Sequence, residues 1–414
     1  MSQHLSPWRV NDAALYDALR DEYRSSIATL LTSANASNHD PLGTIQQLRA
    51  EFYSVDGFDR AEVTASLDET ILRAARLPTD GQRAERPTKD AGHSQDVVLR
   101  VLFDGAEPSD APMFVILAGA SGAGAGRAIA QLRHDIGGDI VPLSVDDLQA
   151  FHPRYLDPQF RQSLQGQQEL SQLAASWLQA SISHARENGY SLLLEGEFRT
   201  PDTALGVALR FADSGYDVHV VTVAAREDQS LLASTSRGLR RMQERQAAEF
   251  VTPLENEQSM RDVSALIVAA ADSPLVRRVS VLNQNGVSVF DAERSESGML
   301  SGASVALSTS RSAATSALDA TQWLSELRHM TEYARSLRTV PTPALDSLVA
   351  LHEMALRRVV PELPVPPGSE VVRIQQQKLA ADLAALERMQ AHPEVVDVAA
   401  PVFTPAESDR PISR

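Results

Sequence analysis

The chain contains no cysteine, which excludes disulfides, cysteine-ligated zinc and thiol catalysis and leaves no mark of redox compartment. Aromatic residues are also scarce, at 5% of 414 residues, while 43% are hydrophobic and alanine is abundant, a balance that leans toward helix. Positive charge is in deficit: 38 Lys and Arg stand against 54 Asp and Glu, a net charge of −16 with a pI near 5.1. Gripping a nucleic-acid backbone takes a clustered excess of Lys and Arg, so no nucleic-acid partner is expected. No apolar run approaches the length of a membrane span, and MSQHLSPWRVNDAALYDALRDEYRSS lacks the apolar stretch of a signal peptide. No membrane partner is expected, and a cytoplasmic address is. The 10 histidines form no His-x-x-x-His pair on a predicted helix, which argues against a zinc site built by the protein.

A chain this long calls for about two or three structural units. Residues 1–90 read as a helical region, since Leu15, Leu19, Tyr23, Ile27 and Leu30 recur at helical spacing and VTASLDETILRAARL repeats the pattern. A polar, Pro- and Gly-bearing linker runs from Pro78 to Gln95. From residue 97 the pattern changes to VVLRVLF, MFVILAG, SLLLEG and VHVVTVA, short apolar runs that suit strands buried on both faces. Helical stretches such as LSQLAASWLQASISHARENG separate them, so residues 95–292 read as α/β with a parallel sheet flanked by helices. VSVLNQNGVSVFD closes this core as a hairpin turning at NQNG. Residues 293–317, rich in Ser, Ala and Gly, read as a flexible linker, 318–395 as a helical C-terminal region and 396–414 as a disordered tail.

The segment Phe114–Arg127 is a strand, a glycine-rich loop and the start of a helix. Such a loop cradles phosphate with consecutive backbone N–H groups at a helix N-terminus and needs no charged side chain. Gly119 and Gly124 have the spacing of G-x-x-x-x-G-K-[ST], with Ser121 and Gly122 between them. Ala125 stands in the lysine position and Gly126 in the hydroxyl position. Arg127 follows, although two residues along a helix turn a side chain about 200° away. Asp146 and Asp147 lie just beyond a second strand, and Glu195, Glu197, Arg199 and Thr200 beyond a third, at the edge where parallel sheets present ligands. Arg237, Arg240 and Arg241 follow on a helix after the fourth. Carboxylates at one edge and arginines over it are what phosphoryl transfer needs: a base, a magnesium ligand and positive charge on the moving group.

On these residues the chain resembles the zeta-toxin kinases of bacterial toxin–antitoxin systems, a P-loop kinase-like fold. VDDLQAFHPRY resembles that family's D-x-x-x-x-x-HP segment, GYSLLLEGEFRTPD its strand ending in EG-x-x-R, SLLASTSR its seven-residue serine-to-arginine interval, and RRVSVLNQNGVSVFD its N-x-x-G hairpin. The resemblance implies ATP and Mg²⁺ as cofactors and transfer of the γ-phosphate to a small hydroxyl acceptor, such as the sugar of UDP-N-acetylglucosamine. It also implies an antitoxin or helical protein partner. Asp146 matches the general base and a metal site, and Arg237 a phosphate-contacting lid arginine. The loop residues Gly119 to Arg127, with Arg241, match nucleotide contacts; Asp147, Glu195, Glu197, Arg199 and Thr200 match acceptor contacts. The chain departs from the family at Ala125 and Gly126, at Phe250 or Val251 where a second lid arginine is expected, and at Gln179, acidic in toxin relatives. Three readings remain: a kinase impaired by the missing lysine, a nucleotide-binding pseudokinase, and an interaction scaffold.

Overall fold

The computed structural model describes residues 12–34, 45–46, 49, 95–136, 140–244, 248–294, 300, 302–366 and 368–391. The VTASLDETILRAARL helix, the linker at 78–94 and the tail at 396–414 lie outside them.

The described helices are α1 (Asp12–Ala34), α2 (Gln95–Phe103), α3 (Ala125–Ile136), α4 (Val145–Gln149), α5 (Pro158–Gln162), α6 (Leu164–Asn188), α7 (Pro201–Ala212), α8 (Glu227–Gln243) and α9 (Pro253–Asp272). Beyond the sheet come α10 (Gly302–Ser312), α11 (Ala317–Ser336), α12 (Thr342–Met354), which runs on through a π turn, and α13 (Glu370–Ala391). The strands β1 (Met113–Ala118), β2 (Val141–Ser144), β3 (Leu192–Gly196), β4 (Asp217–Val223), β5 (Val276–Leu282) and β6 (Ser288–Glu293) form one sheet in the order β2-β3-β1-β4-β5-β6. All neighbours are parallel except β5 and β6, the expected hairpin. The central strand is covered on both faces, with Val115, Ile116 and Leu117 fully buried, which is why its sequence is an unbroken apolar run. Phe114 stacks on Phe211 of α7 at 4.0 Å between ring centroids.

A second core joins α8 to the C-terminal helices. Leu231, Leu232 and Leu239 pack with Trp323, Leu327, Met330, Leu348 and Leu351. Trp323 Nε1 donates to the Asp228 carbonyl at 3.1 Å, and Arg226 bridges Asp228 at 2.9 Å and Glu362 at 2.8 Å. The C-terminal helices therefore buttress the helix that carries the candidate arginines.

Three expectations change. VVLRVLF, read as a strand, is α2, because Val98, Val101 and Leu102 meet the core at helical spacing. The stretch 293–317, read as a flexible linker, holds α10. Its Ala303 and Leu307 are buried one turn apart, and a Cβ on Gly302 would stand 2.7 Å from the Phe290 ring. Small residues there permit close packing rather than freedom. The described part of the N-terminal region is no separate unit either, since Tyr23, Ile27, Leu31 and Ile45 belong to the same buried cluster as the sheet.

Candidate active site

β1 ends at Ala118 and α3 begins at Ala125, so the loop between them turns at Gly122, with φ of 78°, and at Gly124, with φ of 96°. Those left-handed conformations suit glycine and aim successive amides into one concavity. A Cβ on Gly122 would stand 2.5 Å from the Ser230 carbonyl oxygen, so the loop lies directly against α8. Ser230 Oγ donates to the Ser121 carbonyl at 2.7 Å, and Arg237 Nη2 donates to Ser121 Oγ at 2.8 Å. Seven residues are about two helical turns, which places both donors on one face of α8. The serine-to-arginine interval noticed in the sequence is thus a clamp on the loop.

The backbone cradle fits phosphate, but its side chains supply neither the lysine nor the hydroxyl. Lys89 and Lys378 are the chain's two lysines, both outside 95–292, so every Lys-or-Arg cation that this segment brings to the site is an arginine. Arg127 lies beside the hairpin turn, where a Cβ on Gly286 would meet its side chain at 3.5 Å. Among the described residues no group of three or more His, Asp or Glu is placed to hold a metal. With Gly126 lacking a hydroxyl, that position adds no side-chain ligand to the expected Asp146, and the donor set is incomplete.

Sheet register assembles the carboxylates. Ser144 pairs with Glu195, Leu117 with Glu195, and Ala118 with Gly196, so the ends of β2 and β3 open beside the phosphate loop. Ser144 caps α4, its Oγ accepting from the Asp147 amide at 3.1 Å. The Asp147 carboxylate is buried and accepts from Arg20 Nε at 3.2 Å, Arg20 Nη2 at 2.8 Å and Arg24 Nε at 2.7 Å. Burial alone would raise its pKa, but the charges and hydrogen bonds of Arg20 and Arg24 overcome this and hold it well below the carboxylate range. Arg20 also reaches Ser144 Oγ at 3.2 Å and comes within 2.6 Å of Glu195, a close ion pair without hydrogen-bond alignment.

Asp146 is different: its side chain is 69% exposed, with Arg24 Nη2 3.8 Å away. Glu197 is open to solvent on one side. Desolvation on the other raises its pKa, against a hydrogen bond from the Ser121 amide and together with repulsion from Asp146. The hydrogen bond from the Ser121 amide sets Glu197 against the loop, and the charge of Arg199 favours its ionised form. Thr200 is exposed at the start of α7, its Oγ1 2.9 Å from Thr203 Oγ1.

On α8, Arg241 follows Arg237 by one turn, and its Nη1 lies 3.7 Å from Asp21 Oδ2 on α1. Asp21 is buried, which would raise its pKa, yet the charges of Arg241, Arg24, Arg237 and Arg161 hold it below the usual range. Phe250, where a second lid arginine is expected, packs on α8 instead: a Cβ on Gly238 would be 2.5 Å from its ring. Gln179 is exposed on α6. Arg20, Asp21, Arg24 and Arg161 are functional candidates that sequence reading missed. A signal existed in Arg20 and Arg24, one turn apart and flanking the apolar stripe of Leu19, Tyr23 and Ile27, but charges beside a stripe ordinarily read as a solvated border.

Residues 99–295 match the family described as zeta toxin. Toxin PezT of Streptococcus pneumoniae is 27% identical over 139 residues, 34% of this chain and 55% of that protein. The alignment thus spans about half the length of this curated relative. A solved structure from the PezAT chromosomal toxin–antitoxin system of the same organism superposes with a TM-score of 0.50 at 19% identity, covering 59% of this chain and 95% of that one. It shares the fold, a mostly parallel sheet flanked by helices. A complex of AvrRxo1-ORF1 with AvrRxo1-ORF2 is more distant, with a TM-score of 0.36 at 14% identity over 71% of this chain and 84% of the other.

Proposed function

Because residues 99–295 match the zeta toxin family, whose fold is P-loop kinase-like, we propose that this segment is a small-molecule kinase site impaired in phosphoryl transfer. A nucleoside triphosphate such as ATP would lie with its phosphates in the 119–126 cradle. A hydroxyl acceptor of the nucleotide-sugar class, UDP-N-acetylglucosamine for example, would approach the carboxylate edge. Asp146, exposed at that edge, would accept the acceptor's proton. Arg237, tied to Ser121, would carry positive charge over the transferred group. Glu195, Glu197, Arg199 and Thr200 line the acceptor side, and Arg241 extends the arginine face. The observation that carries this reading is the clamp of Ser230 and Arg237 on a glycine loop, because it sets an anion cradle against a cation-bearing helix.

Impairment follows from Ala125 and Gly126. The backbone nest supplies dipoles, but no lysine charge follows the γ-phosphate, and losing one preorganised stabiliser costs about 10²- to 10³-fold in rate. A magnesium ion would find one ligand fewer. The pseudokinase reading is favoured by a separate observation, that Arg20 already occupies Asp147 and Glu195. An antitoxin-like protein partner, by analogy with the PezAT toxin–antitoxin system, and a cytoplasmic setting complete the proposal.

Ala125→Lys, alone and with Gly126→Thr, tests it. Turnover of ATP with UDP-N-acetylglucosamine and magnesium should appear or rise by about 10²-fold or more. Adding Asp146→Asn should then remove about 10²- to 10⁴-fold of that rate while the melting temperature holds. A folded double variant that binds ATP without turning it over favours the pseudokinase, and one that binds no ATP sinks the kinase site altogether.

A further inference from the structure

α1 lies over the candidate site with its charges reversed to match. Two of its cations, Arg20 and Arg24, meet the carboxylates Asp147, Glu195 and Asp146, at distances from 2.6 to 3.8 Å. Asp21, the buried anion among its described side chains, pairs with Arg24 of the same helix at 3.2 Å and meets Arg241 of α8 at 3.7 Å. Arg161 of α5 and Arg237 complete the positive side. Arg161 is stacked over the Tyr155 ring at 4.4 Å, and its side chain is only 9% exposed.

This arrangement is under-neutralised on the arginine side. Among the described residues, Arg161 Nε and Arg241 Nε are buried and find no acceptor. Arg161 reaches the exposed Glu249 only with Nη2, at 3.3 Å. A single carboxylate brings one charge and two oxygens to guanidinium groups that could bind more of both. A phosphate or diphosphate carries a larger charge and more oxygens, and planar guanidinium forks match it well.

We propose that Arg161, Arg237 and Arg241 form an anion site for a phosphate-bearing ligand, and that Asp21 of α1 occupies it as an internal mimic. The ligand takes the site by displacing α1, which also frees Asp147 and Glu195 from Arg20 and Arg24. The apparent affinity is then the intrinsic one reduced by the fraction of molecules with α1 lifted. This rests on the proposed kinase site only in assigning the ligand as its substrate; the anion site itself stands on the arginines.

The test uses the full chain and inorganic pyrophosphate, with no turnover required. In the unmodified protein, saturating pyrophosphate should speed hydrogen exchange of the α1 amides at 20–32 while the amides of β1 and β4 stay protected. Asp21→Asn should tighten pyrophosphate binding by roughly 5- to 150-fold, the usual range of coupling between competing states. Arg161→Ala, which lies outside the phosphate loop, should weaken it about 10-fold or more. Added protection of α1 with pyrophosphate, or weaker binding by Asp21→Asn, would make α1 part of the site and overturn the mimic. Unchanged affinity in Arg161→Ala would remove the anion site. A kinase site that fails to turn over with Ala125→Lys leaves all these readouts intact, so the two ideas fail separately.

Discussion

Asp147→Asn isolates the contact on which α1 depends. The amide preserves shape but removes the charge that two buried guanidinium groups share, at 2.8 Å from Arg20 and 2.7 Å from Arg24. An Asn also turns one acceptor into a donor facing N–H groups. The side chains of Arg20, Arg24 and Asp147 are 4%, 9% and 4% exposed, so solvent screens little of the loss. Breaking a buried pair in this way costs about 3–5 kcal/mol. The pair joins α1 to α4 rather than strand to strand, so the cost is expected locally, as opening of α1. It is capped by the free energy that holds α1 down, because a detached α1 returns both cations to water. At about 1.4 kcal/mol per decade, amide exchange in 20–32 should accelerate by roughly 2 to 3.5 orders of magnitude, with β1, β3 and β4 unaffected. Acceleration below about 10-fold would mean that the pair is worth no more than an exposed one. Loss of protection throughout the sheet would mean that α1 is part of the cooperative core rather than a cover.

Two further outcomes follow from the same geometry. Asp147 and Asp21 both have folded-state pKa values below their unfolded ones, so the stabilisation they lend α1 is complete above about pH 4 and is lost as pH falls toward the folded values. Exchange in α1 should therefore rise below about pH 4 before the sheet unfolds, and a pH-independent α1 would contradict the ion-pair account. Gly122→Ala puts a Cβ 2.5 Å from the Ser230 carbonyl at a φ of 78°, so it should lower stability by about 1–3 kcal/mol from backbone strain alone and abolish phosphate binding in the cradle. Calorimetric melting with a parallel ATP titration checks it, and unchanged values would mean that the loop does not lie against α8.

The sequence alone determined the parts whose information is local. A fully buried parallel strand must be an apolar run, which made β1, β3 and β4 legible, and NQNG specified the hairpin turn between β5 and β6. The glycine spacing marked the cradle, and the interval from Ser230 to Arg237 marked one helix face. Two errors arose where short segments obey two periods at once. VVLRVLF carries β-branched residues yet buries a helical face, and the Ser- and Ala-rich stretch after β6 uses small side chains for close packing at Gly302 and Ala303 rather than for freedom. The site's occupancy was decided only in three dimensions. Nothing local in Arg20, Asp21 or Arg24 says that they meet residues more than a hundred positions away. A surface charge and a buried counter-ion look identical until the chain folds, because burial and partner are properties of the assembled tertiary structure. Register likewise brought Glu195 beside the phosphate loop, which no spacing in the sequence encodes.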